Sequence, residues 1–185
     1  PSVALGWKIK ETFFQDNNTL SEWKLRLSYG ITGQQNISQG DYPYMPTYSV
    51  YKDHAFYTTG EVDENGNLIY SSTWRPNAYN QDITWEKTTT YNVGMDFGFL
   101  NNRVTLGLDY YYRQTDDLIN EVDIPAGTNF KTRVIKNVGS LSNQGVELMF
   151  NSVLIDRKNF KWDFGFNATW NTNKIIKLTT GDEEG

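Results

Sequence analysis

Residues 91–112 read YNVGMDFGFLNNRVTLGLDYYY, and this stretch decides the fold. In both halves an apolar residue occupies every second position, and polar residues or glycine fill most of the positions between them. Only Leu100, Asn101 and Asn102 separate the two runs. Because successive side chains of a β-strand point to opposite faces, each half is predicted to be a strand with one apolar face. The three residues between them predict a tight hairpin.

The same alternation recurs in four further segments of the chain. The predicted strands cover about 1–9, 22–32, 88–99, 103–114, 143–155 and 160–173. Their apolar faces contain one polar residue, Ser152, and no charged residue. The connections alternate between short and long, with long loops at 33–87 and 115–142. This rhythm is typical of an outer-membrane barrel, so we expect an all-β, antiparallel transmembrane β-barrel segment of about six meandering strands.

A soluble antiparallel sheet also alternates, so strand length and aromatic placement must decide between the two settings. Four of the predicted strands reach the 9–11 residues or so that a tilted membrane-spanning strand needs. Aromatic residues gather at both strand ends around an aliphatic middle, as lipid–water interfaces favour. The expected membrane girdle includes Trp7, Trp23, Tyr91, Phe99, Tyr110, Tyr112, Trp162 and Trp170. A soluble β-sandwich that binds carbohydrate is the alternative from another class.

The opposite faces of the strands carry the charged residues and are expected to line the barrel lumen. A Lys or Arg facing lipid would cost about 2–4 kcal/mol at the bilayer midplane. The lumen-facing residues include Arg26, Asp96, Arg103, Asp109, Glu147 and Asp163. Glycines on this face either leave room for something close behind the wall or curve the sheet.

Composition excludes several other classes of function. The chain of 185 residues has a net charge of −5, which argues against a nucleic-acid partner. It has no cysteine and a single histidine, His54, so we expect no metal site, no cofactor and no catalytic residues. Its acidic residues lie in loops or on the lumen face, where charge is the ordinary state. We therefore expect no enzymatic activity.

Several stretches resemble the barrel of SusC/RagA-type TonB-dependent outer-membrane transporters. They are PSVALGWKI, LRLSYGITGQQNI, ITWEKTTTYNVGMDFGFLNNRVTLGLDYYYRQTDDLI, IPAGTNF and NVGSLSNQGVELMFN. The resemblance implies a 22-stranded barrel with a lumen plug, a SusD-like surface lipoprotein as a lid, and import of glycan oligomers or peptides driven through TonB. Six strands cannot close such a barrel, so we expect a fragment of its later part, without the plug and the TonB box. Both ends of the fragment would lie on the extracellular side. A passive pore or surface-display barrel with the same wall is the remaining alternative.

The long loop 33–87 is unusually rich in aromatic residues. The candidates for cargo binding or lid contact are Tyr42, Tyr44, Tyr48, Tyr51, Tyr57, Tyr70, Trp74 and Tyr79. The competing interpretation is that a long loop needs its own aromatic packing to stay ordered. Within this loop, Asn65-Gly66 predicts a hairpin turn that joins residues 60–62 to 68–70.

Overall fold

The computed structural model describes residues 1–34, 42–125, 127 and 131–178, apart from the side chains of residues 51–55. Over these ranges the chain is almost entirely β-strand, which confirms the predicted all-β class. The elements are β1 (Ser2–Lys8), α1 (Ile9–Phe13), β2 (Leu20–Gln34), β3 (Tyr48–Val62), β4 (Leu68–Pro76), β5 (Glu86–Phe99), β6 (Val104–Asp123), β7 (Arg133–Arg157) and β8 (Phe160–Leu178). Within the described part, no helix is long and apolar enough to cross a membrane.

Six of the strands form one sheet in the order β1-β2-β5-β6-β7-β8. The pairs β1–β2, β2–β5, β5–β6 and β7–β8 are antiparallel. Between β6 and β7, Val153 N–H donates to the Arg103 carbonyl, while Gly145 lies against Tyr111. These contacts run in opposite directions along the two strands, so this pair is antiparallel as well. The sheet is therefore an up-and-down meander, and the start of β1 and the end of β8 lie at the same end of the strands.

The hairpin between β5 and β6 is closed by three consecutive residues with left-handed backbone. Leu100, Asn101 and Asn102 have φ angles of 54°, 57° and 61°, and Phe99 pairs directly with Val104. Asparagine tolerates this conformation better than most residues because its short polar side chain bonds locally. The Leu100 N–H donates to the Thr19 carbonyl, which ties the turn to the start of β2.

The strands β3 and β4 form a separate two-stranded sheet within the long loop. Val62 pairs with Leu68, and Gly66 has a φ of 82°, so the predicted turn at Asn65-Gly66 is confirmed. The Asp63 carboxylate accepts hydrogen bonds from the backbone N–H groups of Asn65 and Asn67. These hydrogen bonds, those from Asn67 first, hold the pKa of Asp63 below its usual value.

The strands extend beyond the sequence-predicted spans, because alternation disappears where the strands no longer need an apolar face. β6 continues to Asp123 and β7 begins at Arg133, inside the expected loop 115–142. At the other end, Ile9 belongs to α1 rather than to the first strand. A bulge between Val153 and Ile155 pairs Ile155 with Trp162, whereas an uninterrupted two-residue period from Ser152 would place Leu154 on that face.

By contact density the chain divides into two compact units. One contains Pro1–Gln34, Glu86–Leu118 and Gly139–Leu178, which is most of the six-stranded sheet. The other contains the β3–β4 hairpin, residues 119–123 at the end of β6 and residues 133–138 at the start of β7.

The left-handed turn gives the first testable prediction. Asn101→Ala places a Cβ without a compensating polar group at a φ of 57°, which should lower the free energy of unfolding by about 1 kcal/mol. Asn101→Gly should leave stability unchanged or slightly increased, since glycine adopts this φ without strain. Urea unfolding of the intact parent protein folded in micelles, followed by tryptophan fluorescence, measures both. Equal stabilities of the two variants would contradict the strain argument.

Candidate functional site

One face of the six-stranded sheet carries two groups of contacting aromatic rings. Near the β5–β6 turn, the Trp23 and Phe97 rings lie 5.8 Å apart on paired residues. Toward the other end of these strands, Tyr29 pairs with Tyr91 and Tyr91 pairs with Tyr112. The three rings form one row across β2, β5 and β6. Between the groups lie Leu25, Leu27, Val93, Met95 and Leu108. The register thus aligns the aromatic residues that the sequence places at the strand ends.

The other predicted girdle residues lie on the same face. Phe99 stacks on Phe97, and Trp7 pairs with Leu25. Trp162 pairs with Ile155 and Trp170 with Val146, both on β7. The Tyr110 hydroxyl donates to Gln144 at 3.3 Å. Trp162 and Trp170 are exposed, as expected for side chains that face a bilayer rather than a protein core.

The opposite face holds an ion cluster that joins three strands. Arg26 of β2 donates Nε and Nη2 to the two carboxylate oxygens of Asp96 on β5, at 2.8 and 2.9 Å. Its Nη1 and Nη2 also donate to the two carboxylate oxygens of Asp109 on β6, at 3.0 and 2.9 Å. Such paired guanidinium–carboxylate contacts are stronger and more directional than single ones. We refer to Arg26, Asp96 and Asp109 as the arginine clamp.

The arginine clamp requires a glycine beneath it. Gly94 pairs with Arg26 on one side and with Asp109 on the other, so the guanidinium crosses directly over it. A methyl group added at Gly94 would lie 2.7 Å from Arg26 Cζ, which is closer than side-chain contacts allow. The Tyr111 ring covers Gly145 in the same way, and Asn151 covers Gly165. At these positions the space left by glycine is filled by a side chain from a neighbouring strand that lies flat on the wall.

The remaining predicted lumen residues share this face but do not join the clamp. Arg103 donates Nη2 to the Val153 carbonyl at 3.2 Å, at the turn end of the sheet. Asp163 forms a 3.6 Å ion pair with Lys161, and both side chains are more than half exposed. Glu147 is exposed on β7. The clamp is therefore a local cluster of three residues within a more dispersed set of charges.

The second unit contains a cleft of about 470 Å³. One wall comes from residues 42–47 and 77–79. The other comes from the end of β6, the start of β7 and Lys131, which precedes β7. Asn77 fixes the first wall, because its backbone N–H donates to the Thr47 carbonyl and its side chain bonds Thr47 Oγ1. The lining residues are Tyr42, Pro43, Met45, Thr47, Asn77, Ala78, Tyr79, Glu121, Lys131, Arg133, Val134 and Ile135. Its volume falls in the range of small-molecule sites, about 300–1,000 Å³.

The charges at this cleft are balanced. Arg133 donates Nε to Asp123 at 2.9 Å and Nη1 to Glu121 at 3.4 Å. These contacts, chiefly the hydrogen bond to Asp123, raise the pKa of Arg133 above its usual value. With Lys131, the described residues of the cleft and its rim carry two cations and two anions. Sequence reasoning missed this wall because 115–142 was predicted as a loop, in which Glu121, Asp123 and Arg133 look like ordinary solvated charges.

The structure brings only some of the eight candidate aromatic residues to the cleft. Tyr42 and Tyr79 line it, and Tyr44 lies beside Tyr42 at 6.3 Å between ring centroids. The side chain of Tyr51 lies outside the described residues. The other four lie on the β3–β4 hairpin: Tyr48, Tyr57, Tyr70 and Trp74. The predicted set is therefore divided between a cleft and a hairpin.

One face of the hairpin is apolar, and it is exposed. Pairing of Val50 with Trp74, Phe56 with Ser72 and Thr58 with Tyr70 places these residues on one face. We call the large side chains of this face the hairpin face: Tyr48, Val50, Phe56, Val62, Leu68, Tyr70 and Trp74. Trp74 is 67% exposed and Tyr70 61%. The opposite face carries Ser49, Tyr57, Ile69, Ser71, Thr73 and Arg75. Contiguous exposed apolar surface of this kind is typical of interaction sites.

The described residues contain no group of three or more His, Cys, Asp or Glu side chains that could hold a metal ion. The two acids of the arginine clamp, Asp96 and Asp109, are both occupied by the Arg26 guanidinium. What the geometry offers is a membrane-type wall, a balanced cleft and an apolar hairpin face.

Comparison with known proteins gives a consistent match. The family model described as TonB dependent receptor-like, beta-barrel, matches residues 1–185. The chain is 53% identical over 184 residues to the TonB-dependent receptor SusC of Bacteroides thetaiotaomicron and 34% identical over 185 residues to the TonB-dependent receptor P3 of Formosa agariphila. Among solved structures, the RagAB peptide transporter matches with a TM-score of 0.76 and 31% identity over 97% of this chain. The chain spans 18% of SusC, 17% of P3 and 18% of the RagAB chain.

The arginine clamp gives the second prediction. Arg26→Gln removes the cation from between two carboxylates, which should lower the free energy of unfolding by about 1–2 kcal/mol at neutral pH, toward the lower limit for lost charged hydrogen bonds because the site is part-exposed. Lys161→Gln breaks a long, exposed ion pair and should change stability by less than about 0.5 kcal/mol. Thermal unfolding of the intact parent protein in micelles compares the two variants. Equal losses of stability would show that the arginine clamp stabilises the sheet no more than the exposed ion pair does.

Proposed function

The chain belongs to the family of TonB-dependent receptor-like β-barrels, and from this premise we propose that it forms part of the wall of an outer-membrane importer that acts with TonB. The parent importer takes up glycan oligomers or peptides and works with a SusD-like surface lipoprotein as its lid. It carries out transport and no enzymatic reaction. TonB acts through parts of the parent protein that lie outside this chain.

The observation that carries this proposal is the sorting of the two faces of the six-stranded sheet. The apolar face has rows of aromatic rings at both ends of an aliphatic band, which is the pattern of a barrel exterior in lipid. The polar face holds the arginine clamp and suits the lumen. Six strands leave two open edges, and open edges are not tolerated in hydrocarbon, so neighbouring strands of a barrel, 22 in all by family resemblance, complete the wall.

Turn lengths orient the wall in the membrane. In outer-membrane barrels the short turns face the periplasm and the long loops face outward. The Leu100–Asn102 turn and the two-residue connection between β7 and β8 are then periplasmic, and the β3–β4 hairpin is extracellular. On this orientation the start of β1 and the end of β8, where Ser2 pairs with Gly30 and Leu178 with Gly139, lie on the extracellular side.

The cleft and the hairpin face divide the extracellular tasks. The cleft offers tyrosine side chains beside polar groups whose charges cancel, which suits an oligomeric cargo that both stacks and hydrogen-bonds. The hairpin face is apolar, exposed and too extensive for a single sugar or side chain, so it contacts the lid. We therefore assign Tyr42 and Tyr79 to cargo, and Tyr48, Tyr70 and Trp74 to the lid.

The transport proposal is tested by uptake into cells that carry the intact parent receptor. Labelled glycan oligomers and labelled peptides are supplied separately, with and without the gene for TonB. We expect saturable uptake of one class that disappears when TonB is absent. Uptake that persists without TonB identifies a passive pore and overturns the proposal.

The lid assignment predicts a difference between two adjacent residues. Tyr70→Asp places a charge on the hairpin face and should weaken co-purification of the parent receptor with its lipoprotein by at least tenfold, because a charge in an apolar contact loses about 1.4 kcal/mol or more. Ser71→Asp adds the same charge on the opposite face, since Ser71 pairs with Tyr57 and Tyr70 with Thr58. That control should bind normally. Equal loss in both variants would point to general repulsion and not to a contact.

The cargo assignment makes a separate prediction about tyrosines. Tyr79→Ala removes one aromatic wall of the cleft and should raise the concentration for half-maximal uptake by roughly tenfold, in line with the loss of an aromatic contact to the cargo. Tyr57→Ala, on the polar face of the hairpin, should leave that concentration unchanged. Concentration-dependent uptake with quantified surface expression distinguishes the two variants. An unchanged concentration for half-maximal uptake in Tyr79→Ala would show that the cleft does not bind the cargo.

A further inference from the structure

The connection between β1 and β2 is an ordered helical turn that displays two phenylalanines. It consists of α1 (Ile9–Phe13) and the residues up to Thr19. Phe13 is 65% exposed and Phe14 40% exposed. The sequence alternation of β1 and β2 does not account for them, because they belong to neither strand.

Both phenylalanines are in contact with the aromatic rings at this end of the sheet. Phe13 packs edge-on against Trp7, with ring centroids 5.7 Å apart. Phe14 lies 5.4 Å from Trp23, which stacks in turn on Phe97. The aromatic rings of the apolar face therefore continue beyond the last strand residue onto the helical turn, without a gap.

Hydrogen bonds hold the turn in this position. Trp7 Nε1 donates to Thr12 Oγ1 at 3.0 Å, and Thr12 Oγ1 donates to the Lys8 carbonyl at 3.1 Å. The Phe14 N–H donates to the Lys10 carbonyl at 3.0 Å, and Asn17 Oδ1 accepts from the N–H groups of Thr19 and Leu20. The turn is thus fixed in place while both phenylalanine rings, although in contact with the sheet, remain exposed, and exposed apolar surface of this kind favours an apolar covering.

We propose that Phe13 and Phe14 form an interfacial anchor that inserts into the headgroup–acyl boundary of the inner leaflet of the outer membrane. This inference rests on the membrane setting proposed above. The occupant is lipid because the two rings extend a surface that already faces lipid, and amphipathic elements with aromatic residues settle at this depth.

The polar residues of the turn fit the same placement. Lys8 and Glu11 form a 2.8 Å ion pair and are both exposed, and Lys10 Nζ lies 3.4 Å from the Gln15 carbonyl. The turn thus carries solvated polar groups close to its two phenylalanines, as an element at a lipid–water boundary requires. Asp16, two residues beyond Phe14, is exposed in the same connection and serves as its aqueous reference point.

Spin-label depth measurements on the intact parent receptor, freed of other cysteines and folded into phosphatidylethanolamine–phosphatidylglycerol vesicles, test the anchor. This chain contributes no cysteine of its own. Phe13→Cys reports on the anchor, Val93→Cys on the middle of the lipid face, and Asp16→Cys on water. Relative accessibility to oxygen and to a water-soluble nickel chelate gives the depth of each label.

We expect the label at 13 to lie between the other two, with an oxygen preference clearly above that at 16. A label at 13 as accessible to nickel as the label at 16, with Val93 still in lipid, overturns the anchor and leaves the transport proposal intact. Nickel accessibility at Val93 overturns the membrane setting and the anchor together. Phe14→Cys repeats the test at a second ring, so that local disturbance at 13 cannot decide the result.

Discussion

Lipid contact imposes a strict two-residue period on every spanning strand, and the rest of this wall depends on that period. A shift of one residue would move each charged side chain of a strand into hydrocarbon, at about 2–4 kcal/mol for each Lys or Arg near the midplane. The register is therefore fixed for the whole sheet at once. The rows Trp23–Phe97 and Tyr29–Tyr91–Tyr112 are consequences of that alignment, and so is the meeting of Arg26 with two aspartates on different strands.

The same period explains why glycines sit on the polar face. Neighbouring strands are closely spaced, so a long side chain that reaches across one strand to the next must lie close to the backbone that it crosses. Arg26 reaches Asp109 only because Gly94 lies between them, and Tyr111 lies flat only because Gly145 offers no Cβ. Large polar groups thus lie along the wall instead of projecting from it. In a barrel, side chains that lie along the wall keep the lumen wide and add hydrogen bonds between strands. They also confine the requirement for glycine to the polar face.

The sequence predicted the elements on which lipid acts and missed those on which it does not. Alternation identified the strand cores and the Leu100–Asn102 turn, because each apolar position there has a physical reason to be apolar. It could not show that β6 continues to Asp123 or that Ile9 begins a helix, since solvated backbone imposes no such pattern. The bulge at Val153–Ile155 was hidden as well, because both Leu154 and Ile155 are apolar and only backbone pairing reveals which of them opposes Trp162. Of the candidate loop aromatics, the fold separates Tyr42 and Tyr79 from the hairpin residues by contacts that sequence spacing does not encode.

Physical constraint also separates the parts of the chain that can vary from those that cannot. A residue of the spanning wall faces either lipid or the side chains that cross the polar face. A substitution on either face therefore disturbs a neighbour. The β3–β4 hairpin meets neither condition: its strands pair only with each other, and its turn is held by the Asp63 carboxylate within the turn itself. Its apolar face can be replaced residue by residue without loss of register in the wall. On the assignment proposed above, substitutions that alter lid or cargo preference in the hairpin and the cleft therefore leave the register of the spanning strands intact.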